Sequence, residues 1–203
     1  MKILAVETPS GPARAHLEVA VEPRGALVLG HGAGGGVEAP DLLAATKAAR
    51  SEGFSVALVE QPYRVAGRRS PARAPQLDAA WLVVVERLAG RELGGLALVV
   101  GGRSLGARVA CRTAAATGAV GVLCLAFPLE PPRRGGKPPQ SRLAELDAVT
   151  VPVLVVQGDR DPFGMPTPGP TRRVVTVAGD HGLKADLSGV EDAVKAWLVE
   201  RAS

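Results

Sequence analysis

Gly102-Arg103-Ser104-Leu105-Gly106 follows the apolar run Leu96 to Val100 and opens an alanine-rich segment, Ser104 to Thr117. A serine in a Gly-x-Ser-x-Gly turn between strand and helix has its hydroxyl held above the sheet edge. The flanking glycines leave room for neighbouring backbone. The helix start offers N–H groups and a dipole that favour developing negative charge. The chemistry this suggests is attack by the Ser104 hydroxyl on a carbonyl carbon, with a nearby base to take its proton. The bland alternative is a glycine-rich turn in which Ser104 only caps the helix.

A base and an acid follow in order. Gly179-Asp180-His181-Gly182-Leu183 comes after the run Val174 to Val177, and Gly158-Asp159-Arg160-Asp161-Pro162-Phe163-Gly164 comes after Val153 to Val156. His181 is the candidate for taking the Ser104 proton and returning it to a leaving group. Asp161, four positions into its turn and fixed by Pro162, is the candidate for orienting the imidazole and stabilising its charged form. Asp159 is better placed to bind turn backbone. The chain has 3 histidines; His16 sits in an early edge strand and His31 in a glycine-rich turn.

That turn, His31-Gly32-Ala33-Gly34-Gly35-Gly36, follows the run Ala26 to Leu29. It can bring a backbone N–H, from Ala33 or Gly34, beside that of Leu105 to form an oxyanion hole. A phosphate loop is the competing reading, but no Gly-Lys-Ser/Thr follows and no G-x-G-x-x-G runs into a helix. His31 reads as a hydrogen-bonding residue of the turn. No metal and no cofactor are implied.

Elements that would position these residues alternate along the chain. The runs Ala26–Leu29, Val56–Val59, Leu96–Val100, Val120–Ala126, Val153–Val156 and Val174–Val177 are near-continuously apolar, as parallel strands covered on both faces are. Ile3–Val6 and Ala15–Val21 are more polar and fit an antiparallel start at the edge. Leu77, Trp81, Val84, Val85 and Leu88 form one helical stripe, and Leu187, Val190, Val194, Trp197 and Leu198 another. Asp41 is placed to cap a helix closing at Gly53, and Gly118 to end the one after Ser104. Gln61–Pro75 and Pro128–Gln140 read as loops. The expectation is one α/β domain over residues 1–203, with a mainly parallel sheet and helices on both faces.

Hydrophobic residues make up 46% of the 203 and charged residues 22%, which excludes a disordered tail as the main element. Aromatics at 3% argue against a stacking platform for nucleic acid, and a net charge of +4 spread among 20 acids does not call for one. No apolar run approaches the ~18 residues that span a bilayer, and the short N-terminal run ending at Glu7 is no signal peptide. The expected partner is a small-molecule substrate, with no nucleic acid and no membrane, in the cytoplasm. Cys111 and Cys124 lie in apolar stretches; one disulfide is arithmetically allowed, but two buried thiols suit a reducing compartment better.

His-Gly-Ala-Gly-Gly, Gly-Gly-Arg-Ser-Leu-Gly-Ala-Arg-Val-Ala and Gln-Gly-Asp-Arg-Asp-Pro-Phe-Gly together resemble the α/β-hydrolase superfamily, in a compact dienelactone-hydrolase-like subgroup. The resemblance implies the α/β-hydrolase fold with about eight strands, and hydrolysis of a carboxylic ester or related bond by Ser104, His181 and Asp161. Dienelactone hydrolases use a cysteine where Ser104 stands, so their substrate does not transfer. In many members a helical cap follows the strand after the nucleophile helix; here Pro128–Gln140 is too short for a large cap domain. A non-catalytic scaffold that keeps the fold is the alternative.

Basic residues crowd the two loops. Arg64, Arg68, Arg69 and Arg73 lie on one, and Arg133, Arg134 and Lys137 on the other. In a parallel sheet both loops leave the edge that carries Ser104. Arg64, Arg68 and Arg133 are candidates for a rim that steers anionic acyl groups; the alternative is that arginines merely solvate these loops.

Overall fold

The computed structural model describes residues 1–131 and 140–201. The described residues form eight strands and six helices: β1 (Lys2–Val6), β2 (Ala13–Glu18), β3 (Gly25–Gly30), α1 (Pro40–Ser51), β4 (Phe54–Glu60), α2 (Pro62–Val65), α3 (Ala74–Ala89), β5 (Leu98–Arg103), α4 (Leu105–Thr117), β6 (Gly121–Leu125), α5 (Leu143–Asp147), β7 (Val153–Gly158), β8 (Arg172–Val177) and α6 (Leu187–Val199). They form one sheet in the order β1-β2-β4-β3-β5-β6-β7-β8. β2 runs antiparallel to both β1 and β4, and every later pairing is parallel. This is the α/β-hydrolase arrangement, and its chain order reverses between β3 and its neighbours β4 and β5. In such sheets, ligands bind beyond the strands' carboxyl ends at that reversal.

Two cores form because the central strands present apolar side chains to both faces. β3, β6 and β7 are buried along their whole length. On one face Leu77, Trp81, Val84, Val85 and Leu88 of α3 pack with Val109 and Ala110 of α4. On the other, Leu42, Ala45 and Ala49 of α1 meet Val190, Val194, Trp197 and Leu198 of α6. Fully burying each large side chain contributes about 1.5–3 kcal/mol. Arg112 on α4 grips Asp78 on α3 through two hydrogen bonds of 2.6 and 2.8 Å, and Arg108 grips Glu145 on α5. Cys111 and Cys124 are buried free thiols, hydrogen-bonded to each other with Sγ atoms 3.5 Å apart. Among the described residues, no helix is long and apolar enough to cross a membrane.

The fold departs from the sequence pattern in several places. Asp41 does not cap α1. Ala39 holds the cap position with extended backbone, Pro40 enters as a first-turn residue whose missing N–H costs nothing, and the Asp41 side chain turns inward and is fully buried. Ser104 precedes α4 rather than opening it. Gln61–Pro75 is not all loop, since it contains α2 and the start of α3. β2 begins at Ala13 and stops at Glu18, leaving Val21 fully exposed; it also lies one strand in from the edge, so His16 is not on an edge strand. The short α5 has no sequence periodicity long enough to be read. β6 ends at Leu125 and α5 begins at Leu143, an interval too short for a cap domain.

Candidate active site

Ser104 sits between β5 and α4 with φ 51° and ψ −104°, one of three non-glycine residues with positive φ among those described. Such a conformation costs of order 1–3 kcal/mol and persists only where packing imposes it. Here the packing is backbone on backbone. β3 and β5 pair so that Gly30 lies opposite Gly102, and a Cβ on either Gly102 or Gly106 would drive into the Gly30 carbonyl oxygen. The Ser104 N–H donates to the Leu125 carbonyl at 2.9 Å, so β6 also holds the turn.

The structure brings Ser104, His181 and Asp161 together from three strand ends. His181 Nε2 lies 2.9 Å from Ser104 Oγ, and His181 Nδ1 lies 2.8 Å from Asp161 Oδ2. The Asp161 side chain is 1% exposed and that of His181 19%. Asp161 Oδ1 accepts the Phe163 N–H at 2.9 Å, and the Phe163 ring packs on the imidazole with centroids 4.4 Å apart. Asp159 stands elsewhere, accepting the Gly179 N–H at 2.8 Å and so tying the β7 turn to the β8 turn.

Sequence reasoning missed Gln157. Its buried Nε2 donates toward Asp161 Oδ2 at 2.8 Å, Gly164 O at 2.9 Å and Phe127 O at 3.0 Å. Its signal is a polar residue near the end of an apolar strand, just before the acid-bearing turn.

The glycine-rich turn is pinned from below. His31 Nδ1 is 2.8 Å from Gly32 O, and the Gln61 N–H donates to His31 Nε2 at 3.1 Å. The second contact requires an unprotonated Nε2, so the Nδ1–H is the donor to Gly32. Tyr63 Oη donates to Ala33 O at 3.1 Å, and burial pushes its phenol pKa up to about 12. Gly35 N–H closes the turn on Gly32 O. Among the described residues, the N–H groups of Ala33 and Gly34 have no acceptor within the chain. Leu105 is the first residue of α4, where N–H groups lack helical partners.

Burial also lowers the His31 pKa below the ordinary 6.5. The unfolded chain then takes up a proton through pH ~6.5 that the folded chain refuses, so stability falls as pH drops through that value. The unfolding free energy of the wild type is expected to decline more steeply between about pH 7.5 and 5.5 than that of His31→Gln. Equal slopes in denaturant titrations would count against a buried neutral His31.

Beside the turn lies a cavity of about 600 Å³ whose charged lining is Glu38, Asp41, Glu60, Arg64, Arg103 and Lys184. Arg68 is not there. It lines a second cavity of about 410 Å³ with Tyr63, Pro71 and Gln76. Arg133 lies outside the described residues. Arg64 and Arg68 therefore do not share one rim, and of the two Arg64 alone adjoins the glycine-rich turn.

Several solved structures share this fold. A lidless α/β serine hydrolase from Xanthomonas campestris aligns with a TM-score of 0.74 at 20% identity, over 98% of this chain and 94% of that one. A dienelactone hydrolase from Anabaena variabilis gives 0.79 at 15% identity, over 100% and 98%. The esterase domain of a Rhodothermus marinus protein gives 0.71 at 17%, over 100% and 99%. No curated protein matches the chain in sequence. The family model described as an alpha/beta hydrolase domain matches residues 23–193, a span that includes Ser104, Asp161 and His181. The chain belongs to the alpha/beta hydrolase domain family.

Proposed function

We propose that the protein is a serine hydrolase that cleaves an ester, thioester or amide bond of a small substrate through an acyl-enzyme on Ser104. The observation that carries this reading is the unbroken Ser104–His181–Asp161 chain of 2.9 and 2.8 Å contacts, ending on a serine held at φ 51°. His181 Nε2 takes the hydroxyl proton as Oγ attacks the carbonyl carbon. The oxyanion settles on the N–H of Leu105 and that of Ala33 or Gly34. His181 then protonates the leaving group, and water repeats the sequence on the acyl-enzyme. Asp161 holds Nδ1–H throughout and stabilises the imidazolium.

The acyl group we assign to this site carries negative charge. Arg64, Arg103 and Lys184 line the adjoining cavity together with Glu38, Asp41 and Glu60; Arg103 pairs with Asp41 and His16 with Glu60, which leaves Arg64 and Lys184 facing Glu38 alone with no ion pair among the described residues. In a matched pair of esters, the one ending in a carboxylate should show the higher kcat/KM at low salt, with the advantage shrinking as salt rises. No advantage at low salt, or an advantage unchanged in Arg64→Ala, would remove the charge assignment. The test of the hydrolase reading is fluorophosphonate labelling, expected for the wild type and absent in Ser104→Ala. An unlabelled wild type would favour a scaffold instead.

A further inference from the structure

Arg103 ends β5, immediately before the nucleophile, and its guanidinium reaches three other segments. Nε lies 2.9 Å from Asp41 Oδ2 at the start of α1. Nη2 donates to the backbone carbonyl of His181 at 2.9 Å. Nη1 packs on Gly32 so closely that a Cβ there would sit 2.7 Å from it. A planar cation with donors in a fixed fork can hold such separate partners at once, which a lysine ammonium on its flexible stem does less well.

The Asp41 side chain is fully buried and that of Arg103 is 19% exposed. Burial raises the carboxyl pKa above its ordinary 3.8, and the Arg103 charge is the main influence drawing it back down. No other cation is paired with Asp41 among the described residues. Asp41 Oδ1 accepts the Leu42 N–H at 3.0 Å, which fixes the carboxylate on the first turn of α1.

The geometry points to Arg103 as a positioning residue, one that sets the distance between the His181 loop and the glycine-rich turn across Ser104. This rests on the serine-hydrolase reading but adds a group to it. Asp41 anchors the guanidinium from the α1 side. The His181 carbonyl then takes its place relative to that anchor rather than to solvent. Without the guanidinium, the His181 backbone loses the contact that seats it, and the imidazole moves against Asp161 and Ser104 alike. Misplacement of a reacting group by ~1 Å can cost about 100-fold in rate.

A merely structural Arg103 would act through stability, so the test separates the two. Arg103→Ala leaves Asp41 as a buried unpaired carboxylate and should lower Tm. Adding Asp41→Asn removes that charge and should return most of the lost Tm. In this folded double variant, kcat for a small neutral ester is expected to stay about 100-fold below wild type, with KM within about twofold. Recovery of kcat together with Tm would overturn the inference, as would a raised KM at unchanged kcat.

One readout is independent of turnover. The low-field proton NMR signal of the His181 Nδ1–H bonded to Asp161 should be sharp in the wild type and broadened in the double variant. A signal equally sharp in both would also overturn the inference. Fluorophosphonate labelling of wild-type Ser104 reports on the hydrolase reading itself, so the two can fail separately.

Discussion

Ester turnover should fall by on the order of 10⁴–10⁶-fold in Ser104→Ala, and by a similar factor in His181→Ala. Neither change removes a core side chain, and the thermal midpoint should move by only a few degrees. Alanine at position 104 inherits the same positive φ as serine, so the strain of the turn persists in the variant. The double variant carries the sharper content. Ser104 Oγ and His181 Nε2, 2.9 Å apart, act in one proton transfer. Once either is gone, the other has nothing left to do, and the double variant should be no more than a few-fold worse than the weaker single one. Single-turnover rates that multiplied instead would mean that Ser104 and His181 serve separate steps.

The second large effect separates two aspartates of the same turn. Asp161→Asn should lower kcat by on the order of 10⁴-fold, and Asp159→Asn by less than about tenfold. Asp161 is an acceptor on both oxygens, taking the Phe163 N–H on Oδ1 and both Gln157 and His181 on Oδ2. An asparagine must turn its NH2 toward one side. Toward Phe163 it would meet an N–H that has no other acceptor among the described residues. Toward the Oδ2 side it costs little, because Gln157 keeps Phe127 O and Gly164 O for its two hydrogens. The amide therefore faces His181 Nδ1, which must become an acceptor. The proton moves to Nε2, where it can no longer receive one from Ser104. Asparagine at 159 keeps a carbonyl for the Gly179 N–H and changes little. Kinetics of the two variants on one ester decide the matter, and a reversed ranking would make Asp159 the orienting acid.

Much of this is legible in the sequence because β-strands buried on both faces cannot hide their composition. The runs around Leu27, Val56, Val99 and Leu154 all form central strands. Glycine spacing likewise exposes the turn at Ser104, since close backbone approach leaves few residue choices there. Side chains whose destination depends on distant segments are not legible. Asp41 has the composition of a helix cap, but its partner, Arg103, stands far along the chain at the end of another strand. Gln157 reads as an ordinary strand end until the β7 turn folds back over it. The loop arginines group together by sequence proximity, whereas the short helix α2 sends Arg64 and Arg68 to different cavities.

The contact of Gly30 with Gly102 and Gly106 has a consequence for the entropy of activation. The glycine-rich turn leaves from the end of β3 and the nucleophile turn from the end of β5, and Gly30 meets Gly102 and Gly106 through main chain. No rotatable side chain lies in that contact, so no rotamer population has to be narrowed to set the two turns' backbones against each other. That part of the ordering is complete when the chain folds. The entropic cost of reaching the transition state should therefore come from the substrate and from the side chains that must still be aligned, the Ser104 hydroxyl and the His181 imidazole.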